Sequence, residues 1–180
     1  MVTRRVHKQK QKPPSYRQQR LRDVNLFPKA QAKLLGEIPQ DLLGISDDQL
    51  SGMYQVAWTF LETQETADAV RSFTLLCHLH PYVSDFWFGL GKALRECGEA
   101  EDALSMLLVA ETIDPTRFEF YEEEIECCLQ MGRPKEADHI LHRLYAHRRS
   151  IAAFSDMGRE YHQLEEKIAL SLKDLSSSTL

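Results

Sequence analysis

The stretch FWFGLGK, Phe86 to Lys92, is the place in this sequence where residue types and spacing most invite a chemical reading. Glycines before a lysine can cradle a phosphate, and neighbouring rings can stack bases. A Walker loop needs Gly five residues before its Gly-Lys pair and Ser or Thr after it, and those places hold Phe86 and Ala93. A Rossmann turn needs a strand and a third glycine, whereas Trp87, Leu90 and Leu94 recur at helical spacing. Cys77, His78 and His80 form one cluster of metal-type ligands, and His139 and His142 form another. Neither makes up a ligand set at a suitable spacing, and HExxH, GxSxG and DxDxDG motifs are absent. The expectation is a protein that is not an enzyme, with no catalytic residues, no metal and no cofactor.

Composition sets the frame for the remaining candidates. A chain of 180 residues that is 43% hydrophobic can bury a core and is expected to form one domain with tails. The four cysteines include no CxxC pair, and Cys127 and Cys128 are adjacent, which suits a reducing compartment better than a disulfide framework. No apolar run follows the basic start MVTRRVHKQKQKPP, and no long apolar window occurs, so neither a classical secretion signal nor membrane insertion is expected. Charge is strongly divided. Residues 1 to 33 hold ten Lys or Arg against Asp23 alone, a balance of +9; with -5 overall, the remainder carries -14. Tyr16 is the main ring in that basic segment, so nucleic acid is not the expected partner. Residues 1–27 read as a disordered basic tail, with contact to the chain's own acidic body as an alternative.

The elements that must carry these residues repeat. Pro81 recurs as Pro115, and the same offset relates Ala69, Ala103 and Ala137, then Phe73, Leu107 and Leu141, then Gln64, Gly98 and Gly132. Three units follow, 50–83, 84–117 and 118–151, each reading as two helices joined by a turn. Gly98 supplies a left-handed residue at the end of the first helix of unit two, and Pro115 stops the second. Thr66 is expected to cap the second helix of unit one, and Pro134 suits the first turn of its counterpart in unit three.

The pattern Trp87, Leu90-Gly91, Leu94, Gly98, Ala103, Leu107, Ala110, Pro115 resembles the tetratricopeptide repeat, which makes Trp87, Leu90 and Gly91 packing residues. Unit three departs from it, with Glu124-Ile125 at the Leu-Gly step and Arg149 at the Pro position, and altered packing is expected there. The expected fold is all-α, an α-solenoid of three helix hairpins with flanking N- and C-terminal helices, the repeat domain and N-terminal helix spanning 28–151. A solvating helix is expected over 152–175, built on Phe154, Met157, Tyr161, Leu164 and Ile168 behind a cap at Ser150, with 176–180 frayed.

First helices of stacked hairpins line a concave surface, and residues one and five places beyond the core Trp position should point into it. This selects Tyr54, Trp58, Leu61 and Glu62 in unit one, then Asp85, Phe88, Lys92, Arg95 and Glu96 in unit two. Glu119, Glu122, Glu126 and Leu129 follow in unit three. Tyr54, Trp58, Leu61 and Phe88 are expected to form an uncovered apolar floor, so that Tyr54→Ala and Phe88→Ala should fold normally yet lose a bound peptide. A carboxylate clamp of the heat-shock type is excluded by charge, because its positions hold Tyr54, Trp58, Gly89, Glu119 and Glu123.

Residues 44–115 carry a closer likeness. An Ile-Ser-x-x-x-Leu entry (Ile45, Ser46, Leu50), a Tyr-x-x-Ala start (Tyr54, Ala57), Phe-x-x-Gly-Leu-Gly at Phe86 to Gly91, and Gly98 resemble the class II chaperones of bacterial type III secretion, the low-calcium-response (LcrH/SycD/IpgC) family. The resemblance implies a cytoplasmic chaperone that keeps hydrophobic translocator proteins soluble before export, holding an extended segment in the concave groove. It also implies a homodimer supported by an amino-terminal helix, here Leu34, Leu35, Ile38, Leu42 and Leu43, with Pro39 breaking that helix or starting another. The alternative function is a scaffold that joins folded partners through its outer faces.

Overall fold

The computed structural model describes residues 38–148 and 158–177. Leu34, Leu35, Ser150, Phe154 and Met157, and with them most of the amino-terminal helix and the basic tail, lie outside the described residues. Within them the chain is all-α: α1 Pro39–Leu42, α2 Asp47–Glu62, α3 Thr66–Leu79, α4 Ser84–Glu96, α5 Ala100–Ile113, α6 Phe118–Gln130, α7 Pro134–His147 and α8 Gly158–Ser177.

Local sequence explains where these helices start and stop. Pro39 and Pro134 stand in the first turns of α1 and α7, where a missing N–H costs nothing. Ser46 closes a capping box on α2: its hydroxyl accepts from the Gln49 backbone N–H at 3.2 Å, while the Gln49 side chain accepts from the Ser46 N–H at 2.8 Å. Thr66 does not cap α3; Glu65 holds that place without a side-chain bond, and Thr66 is the first helical residue.

Three turns repeat in geometry as well as in sequence. Gln64, Gly98 and Gly132 all have positive φ, at 64°, 88° and 68°. The following residue in each case, Glu65, Glu99 or Arg133, donates its N–H five residues back, to Phe60, Leu94 or Cys128, at 2.8 to 3.0 Å. This is the Schellman end of a helix, once in each repeat. Gln64 bears the cost of a left-handed conformation that glycine takes freely. Gln64→Gly is therefore expected to stabilise the chain by about 0.5–1 kcal/mol, read as a higher urea midpoint with an unchanged slope.

Neighbouring helices pack in chain order from α2 to α8, and the first helices α2, α4 and α6 also touch one another. That second set of contacts makes the stack an arc with α2, α4 and α6 on its inner side. The loops are tied in matching fashion. Trp87 Nε1 donates to the Pro81 carbonyl at 2.7 Å, and Tyr121, in the equivalent place one repeat on, donates its hydroxyl to the Pro115 carbonyl at 3.2 Å. Leu90 and Gly91 are buried, and Trp87 is half-buried against the core.

The third hairpin ends its first helix in the same turn as the others. What differs is its interior: Glu124, at the Leu position, is fully buried and paired with Arg143 of α7, which also reaches Glu111 of α5 at 3.0 Å. Burial pushes the Glu124 carboxyl up, to about 8, because Arg143 only partly offsets it and Glu111 competes for the same guanidinium. An acid raised on folding keeps its proton in the native state after the unfolded chain has lost it. Its contribution to stability therefore declines as pH rises from about 4.5 to about 8. The urea midpoint should fall across that interval, and Glu124→Gln should remove most of the fall.

α8 covers the end of the arc by laying Leu164 and Ile168 against α6 and α7. It continues through Ser176 and Ser177, two residues into the stretch expected to fray, and both hydroxyls donate to the Lys173 carbonyl.

Candidate functional site

The inner side of the arc is built from the aromatic residues of α2, α4 and α6, and their burial corrects the expectation of an uncovered floor. Tyr54 is 3% exposed and Phe88 8% exposed, and Leu61 is also buried. Tyr54 lies 5.5 Å from Phe86 and 6.1 Å from Phe73 between ring centroids, and Phe88 lies 5.0 Å from Phe120. Tyr54 and Phe88 face the neighbouring first helix, whereas the helical period predicts that they point into the open concave surface. That neighbour comes close enough to seal them, so they link hairpins instead of standing into a groove. Tyr54→Ala and Phe88→Ala would each open a cavity in the core, contrary to the expectation of normal folding. Burial, with help from the negative charge of Asp85, raises the Tyr54 hydroxyl well above its usual range, so it is neutral.

Trp58 is the ring that remains half-buried at this surface, stacked 6.1 Å from Tyr54 and tilted 6.3 Å from Phe88. Around it opens a hollow of about 830 Å³, lined by Trp58, Leu61, Glu62, Gln64, Thr66, Lys92 and Glu96. Five of the nine expected groove residues thus meet in one place: Trp58, Leu61, Glu62, Lys92 and Glu96. Arg95 adjoins them, since Lys92 and Arg95 both bind Glu123 of α6, Arg95 through Nε at 2.7 Å. Burial works against the charge on Arg95, but Glu123 more than restores it.

Asp85 does not stand at an entrance. It is buried and accepts from Arg117 Nη1 at 2.9 Å, while Arg117 also reaches Glu119 and lies 5.0 Å from the Phe120 ring centre. Burial opposes the charge on Arg117, and the two carboxylates outweigh it. Glu126 binds Lys167 of α8, so it ties the closing helix to the arc. Glu122 and Leu129 are partly exposed on α6, away from the residues lining the hollow.

Gly89 was not singled out as a packing residue by the sequence. A Cβ there would lie 2.2 Å from Phe73 Cε1, and one at Gly91 would lie 2.7 Å from Leu107 Cγ. The two glycines thus let α4 approach α3 on one side and α5 on the other. The available signal was the i, i+2 spacing, which places two small residues on different flanks of one helix. Cys77, Cys127 and Cys128 are buried and Cys97 is exposed. No group of three metal-type ligands occurs among the described residues, and no described helix is long and apolar enough to cross a membrane.

Known proteins share this architecture. The chain is 31% identical over 94 residues to Low calcium response locus protein H of Yersinia pestis, a match covering 52% of this chain and 56% of that relative. It therefore spans little more than half of the curated relative's length. The structure of the Yersinia enterocolitica type III secretion translocator chaperone SycD matches with a TM-score of 0.64 and 25% identity, covering 75% of this chain and 98% of that one. The chain is similar in fold and sequence to a type III secretion translocator chaperone. No family model matches it. A second structure, of SycD in complex with a peptide of the translocator YopD, matches this chain at 26% identity with a TM-score of 0.58. That match covers 76% of this chain and 98% of SycD.

Proposed function

We propose that this chain is a chaperone that binds a hydrophobic translocator of a type III secretion system and keeps it soluble in the bacterial cytoplasm before export. The observation that carries this reading is the likeness to SycD, a chaperone seen with a translocator peptide, together with a hollow on the inner face of the arc. Membrane-seeking helices aggregate in water, and shielding one segment suppresses that without any chemical step. An extended segment placing a few apolar side chains against Trp58 and Leu61 gains about 1.5–3 kcal/mol for each one buried. Ordering the segment opposes part of this gain, which leaves an affinity moderate enough for release. The groove in this reading comprises Trp58, Leu61, Glu62, Lys92, Arg95 and Glu96, with Tyr54, Phe88 and Asp85 supporting it from beneath. A homodimer fits the same reading: Leu42 and Leu43 are 66% and 67% exposed at the start of the described chain.

Co-expression tests this. A translocator that is insoluble alone should be recovered soluble and bound to this chain. If the translocator stays insoluble while the chain itself is soluble, the chaperone reading fails and a scaffold between folded partners takes its place.

A further inference from the structure

Residues 62–68 and 96–102 occupy equivalent turns of the first two hairpins and hold seven carboxylates with no basic residue: Glu62, Glu65, Asp68, Glu96, Glu99, Glu101 and Asp102. Acid at the start of α3 and α5 complements the helix dipoles, which accounts for Asp68, Glu101 and Asp102. It does not account for Glu62 and Glu96, which stand at the other ends of α2 and α4, where a negative charge opposes the dipole. These two line the hollow that holds Trp58 and Leu61, and Glu99 borders a second hollow of about 520 Å³ at the next turn. The result is an apolar patch with a rim that is acidic in balance, although Lys92 lines the same hollow, Arg133 lines the second and reaches Glu101, and Arg71 binds Asp68. Its chemistry calls for a polypeptide with closely spaced cations and a few apolar side chains.

The chain itself contains such a segment. Residues 1–33 carry a balance of +9 along with Leu21, Leu26 and Phe27. The described chain begins at the other end of the first hairpin from the hollow: α1 immediately precedes α2 and packs against α3, while Glu62 and Thr66, at the turn between those two helices, line the hollow. α3 has 14 residues, a length of about 20 Å, and the nine residue steps from Lys29 to Ile38 can cover at most about 30 Å. The hollow is within reach.

We infer that the basic amino-terminal segment, residues 1–33, docks across the acidic rim at Glu62, Glu96 and Glu99 of its own chain, over the hollow at Trp58. If that hollow also takes a client segment, the two compete; this consequence rests on the proposed chaperone role, whereas the contact itself does not.

Cys97 provides a reporter, because it is exposed in the middle of the rim while Cys77, Cys127 and Cys128 are buried. A nitroxide on Cys97 of the full chain, with no client present, should reduce the amide signals of residues 1–33 by more than half. In about 0.5 M salt, where charges are screened beyond about 4 Å, the signals should recover. They should recover equally at low salt in the chain carrying Glu62→Gln, Glu96→Gln and Glu99→Gln. Unattenuated tail signals would overturn the inference, as would attenuation that survives both salt and the triple substitution. Attenuation found only when spin-labelled and isotope-labelled copies are mixed would assign the rim to a second copy, or to a partner of like charge, and would also overturn it.

Discussion

Gly89→Ala is expected to lower stability by about 3 kcal/mol, the largest effect of a methyl group added at any described glycine. The new Cβ would meet three Phe73 ring carbons, Cε1, Cζ and Cδ1, at 2.2, 2.4 and 2.6 Å. Phe73 is fully buried and cannot swing clear: Tyr54 and Trp58 lie edge-on to it, at 6.1 and 5.9 Å between centroids. Relief therefore requires α4 to move away from α3, which disturbs the joint between the first two hairpins. Alanine is the better helix former by about 1 kcal/mol, a gain too small to offset the clash. Gly91→Ala should cost less, because the Leu107 side chain can shift, although the Ala103 carbonyl at 3.1 Å cannot. Urea unfolding of both variants, with Phe73→Leu added to Gly89→Ala, checks the cause. The smaller side chain should restore part of the loss. Equal stability of the wild-type and Gly89→Ala chains would contradict the close approach of α3 and α4.

Trp58→Ala is expected to weaken binding of a translocator segment about 30-fold while leaving most of the fold's stability in place. A central aromatic anchor is worth about 2 kcal/mol in an interface, and 1.4 kcal/mol is a factor of ten. Trp58 is the half-buried end of a ring series whose inner members are sealed, so its removal deletes contact surface along with only part of the core packing. Phe88→Ala should show the opposite balance. Removing that ring from between Trp58 and Phe120 costs about 3–5 kcal/mol, and any loss of binding follows from unfolding. Calorimetric titration beside thermal melts separates the two variants. If Trp58→Ala binds as tightly as wild type at equal stability, the hollow is not where the client sits.

The repeat offset carried most of the architecture, because turns and helix stops rely on residues with restricted or unusual backbone preferences. Pro81, Pro115, Gly98 and Gly132 announce themselves, and Gln64 could be assigned its left-handed conformation by alignment with the two glycines. The Ser46-x-x-Gln49 box was equally open to a local reading, yet Ser46 entered only as part of a family likeness. The inner face was half legible. Positions Tyr54, Trp58, Phe88 and Lys92 follow from helical period alone, but exposure depends on how closely the neighbouring hairpins approach, and Gly89 against Phe73 sets only the α3–α4 part of that. The Glu124–Arg143 pair was out of reach for the same reason: its partners are 19 residues apart on separate helices, and Glu111 joins them from a third. Lys92 and Arg95 have the spacing of groove cations, but Glu123 of the next hairpin binds both.

The most direct test of the account uses the chain's two tryptophans. Their indole N–H signals are followed in a nitrogen-15 spectrum of the full chain while an extended translocator segment is added. Trp58, beside the hollow, should shift and saturate with the segment, whereas Trp87, held at 2.7 Å on the Pro81 carbonyl, should stay in place. Saturable binding that moves Trp87 or neither indole would contradict a client lying along the inner face.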